Sequence, residues 1–427
     1  MQNRNRHTSS GHRTLLFGVL CLFGFCLLAQ KPVTGPQKKQ SAGTQTSQAK
    51  QSDKGKQSQQ PKSKVYLLHS DLLRKDSRHP DAQVVVGNVA FRHDSMYMYC
   101  DSAYYYDKIN SFEAFSNVKM EQGDTLFVYG DRLYYDGMTQ IAQVRENVRM
   151  ENRNTTLLTD SLNYDRLYNL GYYFDGGTLM DEQNVLTSEW GEYNPKTKQS
   201  VFNYNVKLVN PQFTLTSDTL RYNTATKIAD IVGPSDIYSD QNHIYSELGT
   251  YNTVTGKADL YNRSVITNEG KQLTGDTLFY DRNSGVGEAF SNMVMTDTIN
   301  KNMMTGDYGY YNDKTKYAFA TKKAVAVDYS QGDSLFLHAD TLMMVTFHLD
   351  TDSMFREMRA FHKVRFFRTD LQGTADSLVF SSKDSCLTMY HDPILWNDKQ
   401  QLVGEKILIY MNLSLIHISE PTRLQLI

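Results

Sequence analysis

Gly275-Asp276-Thr277-Leu278-Phe279-Tyr280-Asp281, followed at 288–295 by Glu-Ala-Phe-Ser-Asn-Met-Val-Met, is the stretch that decides the fold. Leu278 and Tyr280 stand two residues apart and the Met-Val-Met run extends the pattern, which is the period of a half-buried strand. The same heptad-length motif occurs at Gly130–Asp136 and Thr159–Asp165, and Glu-Ala-Phe-Ser-Asn recurs verbatim at 113–117 and 288–292. Such self-similarity has to be settled before any single motif is read.

Working outward, one acidic residue recurs at Asp101, Asp131, Asp160, Glu189, Asp218, Glu247, Asp276, Asp307, Asp340, Asp376 and Glu405. Most spacings are 29 residues. Four positions after each acid comes Tyr105, Tyr135, Tyr164, Tyr193, Tyr222, Tyr251, Tyr280 and Tyr311, then Met344, Phe380 and Ile409. A second strand precedes each following unit, as in Val118-Lys119-Met120. Turns such as Asp136-Gly137 and Asn194-Pro195 separate the strands. One unit is too short to bury its own apolar face, so stacked neighbours must supply the core. The predicted fold is therefore all-β, an elongated solenoid-like array of about eleven such units. With one rung of about 4.8 Å per unit, it would form a rod of roughly 50 Å.

A finer alternation runs through the array. Units with Asp-Thr-Leu-x-Tyr alternate with units in which Gly takes the Leu place and a bulky residue stands just before it: Trp190-Gly191, Leu248-Gly249, Tyr308-Gly309. Adjacent strand residues face opposite sides. Bulk is thus expected to move from face to face, with alternate rungs interdigitating.

Composition agrees. The 427 residues hold 34 Asp against 13 Glu and 28 Tyr against 2 Trp, a balance that favours turns and strands over helices. Mean hydropathy is −0.52, which excludes a polytopic helical membrane protein. Arg4, Arg6 and Arg13 precede an uncharged, mostly apolar stretch at 14–29, as in a secretory signal. Its 16 residues are short for a membrane span, so residues 1–29 are expected to be a signal peptide, the alternative being an uncleaved anchor. Residues 30–64 carry eight Lys against Asp53 and no aromatic residue, and are expected to be a disordered tether. Those two segments hold the excess basic charge, leaving residues 65–427 at −12 within a total of −2. A nucleic-acid partner is therefore not expected. Cys100 and Cys386 stand far apart in the array and are read as free, small core residues.

The repeated Gly/Ser-Asp-Thr-Leu-x-Tyr-Asp, the Ala-x-x-x-x-Asn-Val-x-Met strand that follows it, and the signal segment together resemble the OstA/LptA-like family, over residues 65–410 and most strongly over 94–312. The resemblance implies an open β-jellyroll, a fold shared with LptC and the N-terminal domain of LptD. It further implies lipopolysaccharide transport in the periplasm of a Gram-negative cell, at or near the outer membrane. Expected partners are lipopolysaccharide or a similar glycolipid, other β-jellyroll transport components joined by edge-strand addition, and an outer-membrane assembly protein. Under this reading Leu133, Leu162, Leu220 and Leu278, with Tyr135, Tyr164, Tyr222 and Tyr280, line a lipid groove. Val118, Met120, Val148 and Met150 complete it from the second strands. The alternative is a structural or adhesive, glycan-binding solenoid without lipid cargo, in which the same columns only fill a core and exposed Tyr104, Tyr134 and Tyr310 meet sugar. The array has about twice the repeats of a short bridge protein, and no barrel pattern follows it.

No pattern for chemistry stands out. One carboxylate per unit reads as turn and strand-end bonding rather than as a calcium or catalytic site. The histidines show no His-x-x-x-His pair and the mature cysteines no Cys-x-x-Cys pair, so zinc is not expected. No nucleophile elbow or phosphate loop occurs, and neither enzyme activity nor a cofactor is expected. The pattern stops after Ile409-Tyr410. Residues 413–427 look like translated adapter sequence, with the natural C-terminus missing.

Overall fold

A computed structural model describes residues 63–239, 242–330, 332–411 and 416–419, with Met411 and the last strand as backbone only. Residues 1–62, on which the expected signal peptide and most of the expected tether fall, and residues 412–415 and 420–427 lie outside the described residues. The described residues are all-β apart from a single 3-10 turn at Asp107–Ile109. They divide into two compact units at 202/203.

The first unit is a run of long antiparallel strands: His79–His93, Met96–Tyr106, Ser111–Gln122, Leu126–Asp136, Ile141–Asn152 and Thr155–Asp165, then four shorter ones ending at Trp190–Asn194. Each long strand is broken in the middle of its register, between Phe115 and Val118 on one strand and between Tyr129 and Arg132 on the next. On alternate strands two successive residues at the break adopt positive φ: Ser116 and Asn117 at 61° and 51°, Glu146 and Asn147 at 65° and 51°. Two left-handed residues in a row swing the strand through a corner, as a bulge does. Every long strand thus crosses from one wall to the other. The first wall holds residues 96–99, 118–122 and 126–129, and the second holds 102–106, 111–115 and 132–136. The walls meet at a corner, and their free ends, where the hairpin turns lie, form a mouth.

This corrects the rung arithmetic. A 29-residue unit supplies two strands to each wall, so the advance per unit is about 9–10 Å rather than one strand spacing of about 4.8 Å. The reason is the corner, which lets one strand serve both walls.

The second unit has the same organisation. It contains Phe213–Asn223, a series of short paired strands, and then Val286–Asp297, Asn302–Asn312, Tyr317–Asp328, Leu335–Phe347, Phe355–Phe367 and Leu371–Ser381. Its corners fall at Ser291-Asn292, Lys322-Lys323 and His362-Lys363, again with positive φ. Near its end Ile416–Ser419 pairs antiparallel with Lys406–Met411, one strand beyond the point where the sequence pattern stops.

Candidate functional site

The inward columns fall where period two puts them. Leu133, Leu162, Tyr135, Tyr164, Val118, Met120, Val148 and Met150 are buried in the first unit, and Leu220, Leu278, Tyr222 and Tyr280 in the second. Val118, Met120, Val148 and Met150 stand on the first wall, and Leu133, Tyr135, Leu162 and Tyr164 face them from the second. Packing draws the walls together. Phe91 of the first wall stacks on Phe112 of the second at 4.1 Å between ring centres.

The glycine alternation has a packing role. A Cβ on Gly191 would lie 2.5 Å from the Tyr173 hydroxyl, and one on Gly309 2.5 Å from Met293 Cε. The inward space at Gly191 and Gly309 is filled by a neighbouring strand's large residue, not by the bulky residue just before the Gly. Leu248 points outward and is 43% exposed, as the alternation of faces requires.

The acidic column marks the corner. Asn117 Nδ2 donates to Asp101 Oδ2 at 2.7 Å, Asn147 Nδ2 to Asp131 Oδ2 at 2.6 Å and Asn292 Nδ2 to Asp276 Oδ2 at 2.7 Å. Where Lys replaces Asn, an ion pair takes over: Lys323–Asp307 at 3.4 Å and Lys363–Asp340 at 3.2 Å. The sequence reading as turn and strand-end bonding needs correction on the continuous strands. There the acid sits in mid-strand, at the bend. An open furrow runs along the outside of the first unit's corner, where Asp131, Asp160 and Asp175 face Asn147 and Arg149. Among the described residues no group of three metal-binding side chains occurs.

The mouth is joined by side chains that the motif search did not single out. The Tyr135 hydroxyl meets His93 Nδ1 at 2.6 Å, Tyr164 donates to Gln122 Oε1 at 3.1 Å and Tyr193 to Asn152 Oδ1 at 3.2 Å. In each case a Tyr at the free end of the second wall reaches the last residue of a first-wall strand, 41 or 42 positions earlier. Arg166 adds a bond to Asp94 at 2.9 Å. Burial, with the Arg166 guanidinium beside it, holds the His93 imidazole below its ordinary pKa. In the second unit Phe213 packs on Tyr251 with ring centres 4.9 Å apart, and Arg282 bonds Tyr251 at 3.0 Å and also reaches Gln212. Only the 41–42-residue offset between these partners could have revealed the staples in the sequence.

On the outside, Tyr134 is exposed, whereas Tyr104 and Tyr310 are half-buried against Phe115 and Phe319. Cys100 and Cys386 are free and buried, and burial pushes the Cys100 thiol up to about 12. Among the described residues no helix is long and apolar enough to cross a membrane.

Stacked antiparallel strands bent across a sealed corner, with an apolar interior and a side-chain-closed mouth, define a β-jellyroll repeat protein. Residues 62–218 match the family model described as OstA-like protein, so that stretch is similar to that family. No curated protein matches the chain.

Proposed function

We propose that the protein carries lipopolysaccharide or a related glycolipid through the periplasm during outer-membrane assembly. Acyl chains would lie between the two walls, against Leu133, Leu162, Leu220, Leu278 and their Tyr, Val and Met neighbours. Sugars and phosphates would stay outside the mouth.

The observation that supports this reading is how the walls are joined. Backbone pairing continues past the corner, but at the mouth the walls are held by side chains alone, through bonds such as Tyr164–Gln122 and through packing such as Phe91 on Phe112. Each staple is worth about 0.5–1.5 kcal/mol. Burying an acyl chain returns about 0.8 kcal/mol per CH2. A chain of ordinary length therefore offsets several staples, its methylenes take the place of the wall-to-wall apolar contacts, and the walls would part without loss of their strand ladders. No bond needs to be made or broken by this chain.

Partners of the same fold would join by strand addition. In the first unit Tyr66–His69 and Leu72–Asp76 each pair only with His79–His93 among the described residues, and they expose Tyr66, Leu68, Leu72 and Leu73. An exposed apolar edge is a template for another strand.

The test is a photo-crosslinking residue at Leu220 or Tyr222 in cells. Lipid adducts, with a block in outer-membrane lipid export on depletion, are expected. No adduct and normal export would leave the structural or adhesive solenoid as the reading.

A further inference from the structure

Ser63 and Lys64, the last two residues of the expected tether, lie with Val65 across the mouth of the first unit. Ser63 meets both sides. Its hydroxyl donates to Asp94 Oδ1, in the first-wall turn after His79–His93, and its carbonyl accepts from Asn110 Nδ2, in a second-wall turn, at 3.2 Å. Val65 is fully buried, its amide donating to Asn110 Oδ1 at 2.7 Å and its carbonyl accepting from the Tyr105 hydroxyl at 2.9 Å. On the exposed side Lys64 pairs with Asp107 at 2.8 Å. A Cβ on Gly137 would stand 2.7 Å from Val65 Cγ2, so the missing side chain of the next second-wall turn leaves the seat that the valine fills.

The segment takes a place in the staple series. Tyr105 begins the column continued by Tyr135, Tyr164 and Tyr193, and Val65 stands 40 positions before it. The partner here is a backbone carbonyl instead of a strand-end side chain. The Tyr105 ring packs on Phe91 at 5.5 Å between centres, so the segment seats on the aromatic cluster that joins the walls at this end.

Two features make this closure removable. All the bonds named above run to side chains, whereas Tyr66–His69, which follows, is held by the backbone ladder of His79–His93. In addition, His93 Nε2 is buried without a hydrogen-bond partner among the described residues, with the Ser63 backbone beside its ring. A buried polar atom left unpaired is costly, and lifting the segment would return that nitrogen to water.

We propose that Ser63–Val65 is a displaceable strap that closes the mouth of the first unit, and that an entering acyl chain takes the place of Val65 beside Gly137 and lifts it. This rests on the lipid-carrier reading and adds what shuts the interior when no cargo is present. Strap and acyl chain exclude one another, so the coupling is reciprocal: lipid opens the strap, and a loosened strap favours lipid.

The test uses the full-length protein and a lysophosphatidylglycerol with a diazirine in its acyl chain, kept below its micelle concentration. Trypsin reads the strap, because a cut after Lys64 requires that segment to leave the mouth, and mass spectrometry counts chains that begin at Val65. The amphiphile should speed that cut at least fivefold and leave the cut after Lys119, within a strand ladder, unchanged. Asn110→Gly keeps the left-handed backbone of that turn (φ 55°) and removes both Asn110 bonds to the strap. It should speed the lipid-free cut at least fivefold and raise photolabelling severalfold at the concentration that half-labels the wild type. Ser63→Ala, which frees only Asp94, should move both readouts the same way by less. Interior photolabelling with the Lys64 cut still at its lipid-free rate would overturn the strap and leave lipid carriage standing. So would faster cutting in Asn110→Gly and Ser63→Ala, with intact circular dichroism and unchanged labelling, since the segment would then be only an end cap. Glycerol phosphate alone should not speed the cut, and if it did, displacement by an acyl chain would be wrong. No photolabelling in any variant would remove the carrier reading and the strap's role with it.

Discussion

Asn117 and Asp101, sixteen residues apart, are joined by a 2.7 Å hydrogen bond at the point where two neighbouring strands turn the corner. The pair does two things at once. Asn tolerates the left-handed backbone that the bend demands, and its amide ties the bend of one strand to that of its neighbour. Asn147 with Asp131 and Asn292 with Asp276 repeat the arrangement, so the repeated acid is a corner residue.

Corner substitution should therefore cost more than loss of an exposed hydrogen bond. Asn147→Val forces a β-branched residue into φ near 51° and leaves Asp131 without its amide donor. Left-handed strain of about 1–2 kcal/mol adds to about 1 kcal/mol for the hydrogen bond. Asn147→Gly removes only the latter. Urea denaturation should rank wild type above Asn147→Gly above Asn147→Val. Equal stability of the two variants would show that the corner carries no backbone strain.

The staples should be individually modest. Tyr164→Phe keeps the buried ring and removes its bond to Gln122, which is half-exposed and can turn to water. A loss of about 0.5–1.5 kcal/mol is expected. Tyr164→Ala also empties the core and should cost about 3–5 kcal/mol. Hydrogen exchange at the turns bordering the mouth should rise in Tyr164→Phe while the corners stay protected.

The two glycine slots differ in how far their neighbours can yield. Gly191→Ala drives a methyl into the ring of Tyr173, whose hydroxyl is held by Ser188 at 2.6 Å. Gly309→Ala meets the flexible thioether end of Met293. Overpacking of about 1–3 kcal/mol is expected at Gly191 and less at Gly309. Thermal denaturation of the two variants would reverse this order if the Tyr173 ring had room to move.

Two buried groups set opposite pH trends. Burial raises the Asp328 carboxyl to about 6, although it accepts from the Ser330 amide at 2.7 Å and from its hydroxyl. The unfolded chain loses that proton near the ordinary value of 3.8 while the folded one holds it, so stability falls as pH rises from about 4 to 6 and is level above. Asp328→Asn should abolish that slope and raise the melting temperature at pH 7. His93 works the other way. Its folded pKa lies below the ordinary 6.5, so its contribution is complete above that value and declines as pH falls through it. Asp94 and Arg166 face the same ring, the first favouring its protonation and the second opposing it. His93→Gln should keep a staple to Tyr135 and flatten the acid limb of the melting curve below pH 6.5. An unchanged limb would assign the acid sensitivity to other groups.

Much of this protein was determined by sequence alone, because period two and a repeated unit act locally. Leu133, Tyr135, Val118 and Met120 had to face one way, and an isolated unit had no means of burying them without its neighbours. The buried, free state of Cys100 and Cys386 follows from the same pattern. The tertiary structure decided how a unit is used. Corner residues can be Ser-Asn, Glu-Asn, Lys-Lys or His-Lys, so no residue type announces a bend in mid-strand, and the doubling of strands per unit stays hidden. The staples are also invisible locally, since His93 and Tyr135 are distant in sequence and meet only when two walls fold over a common corner.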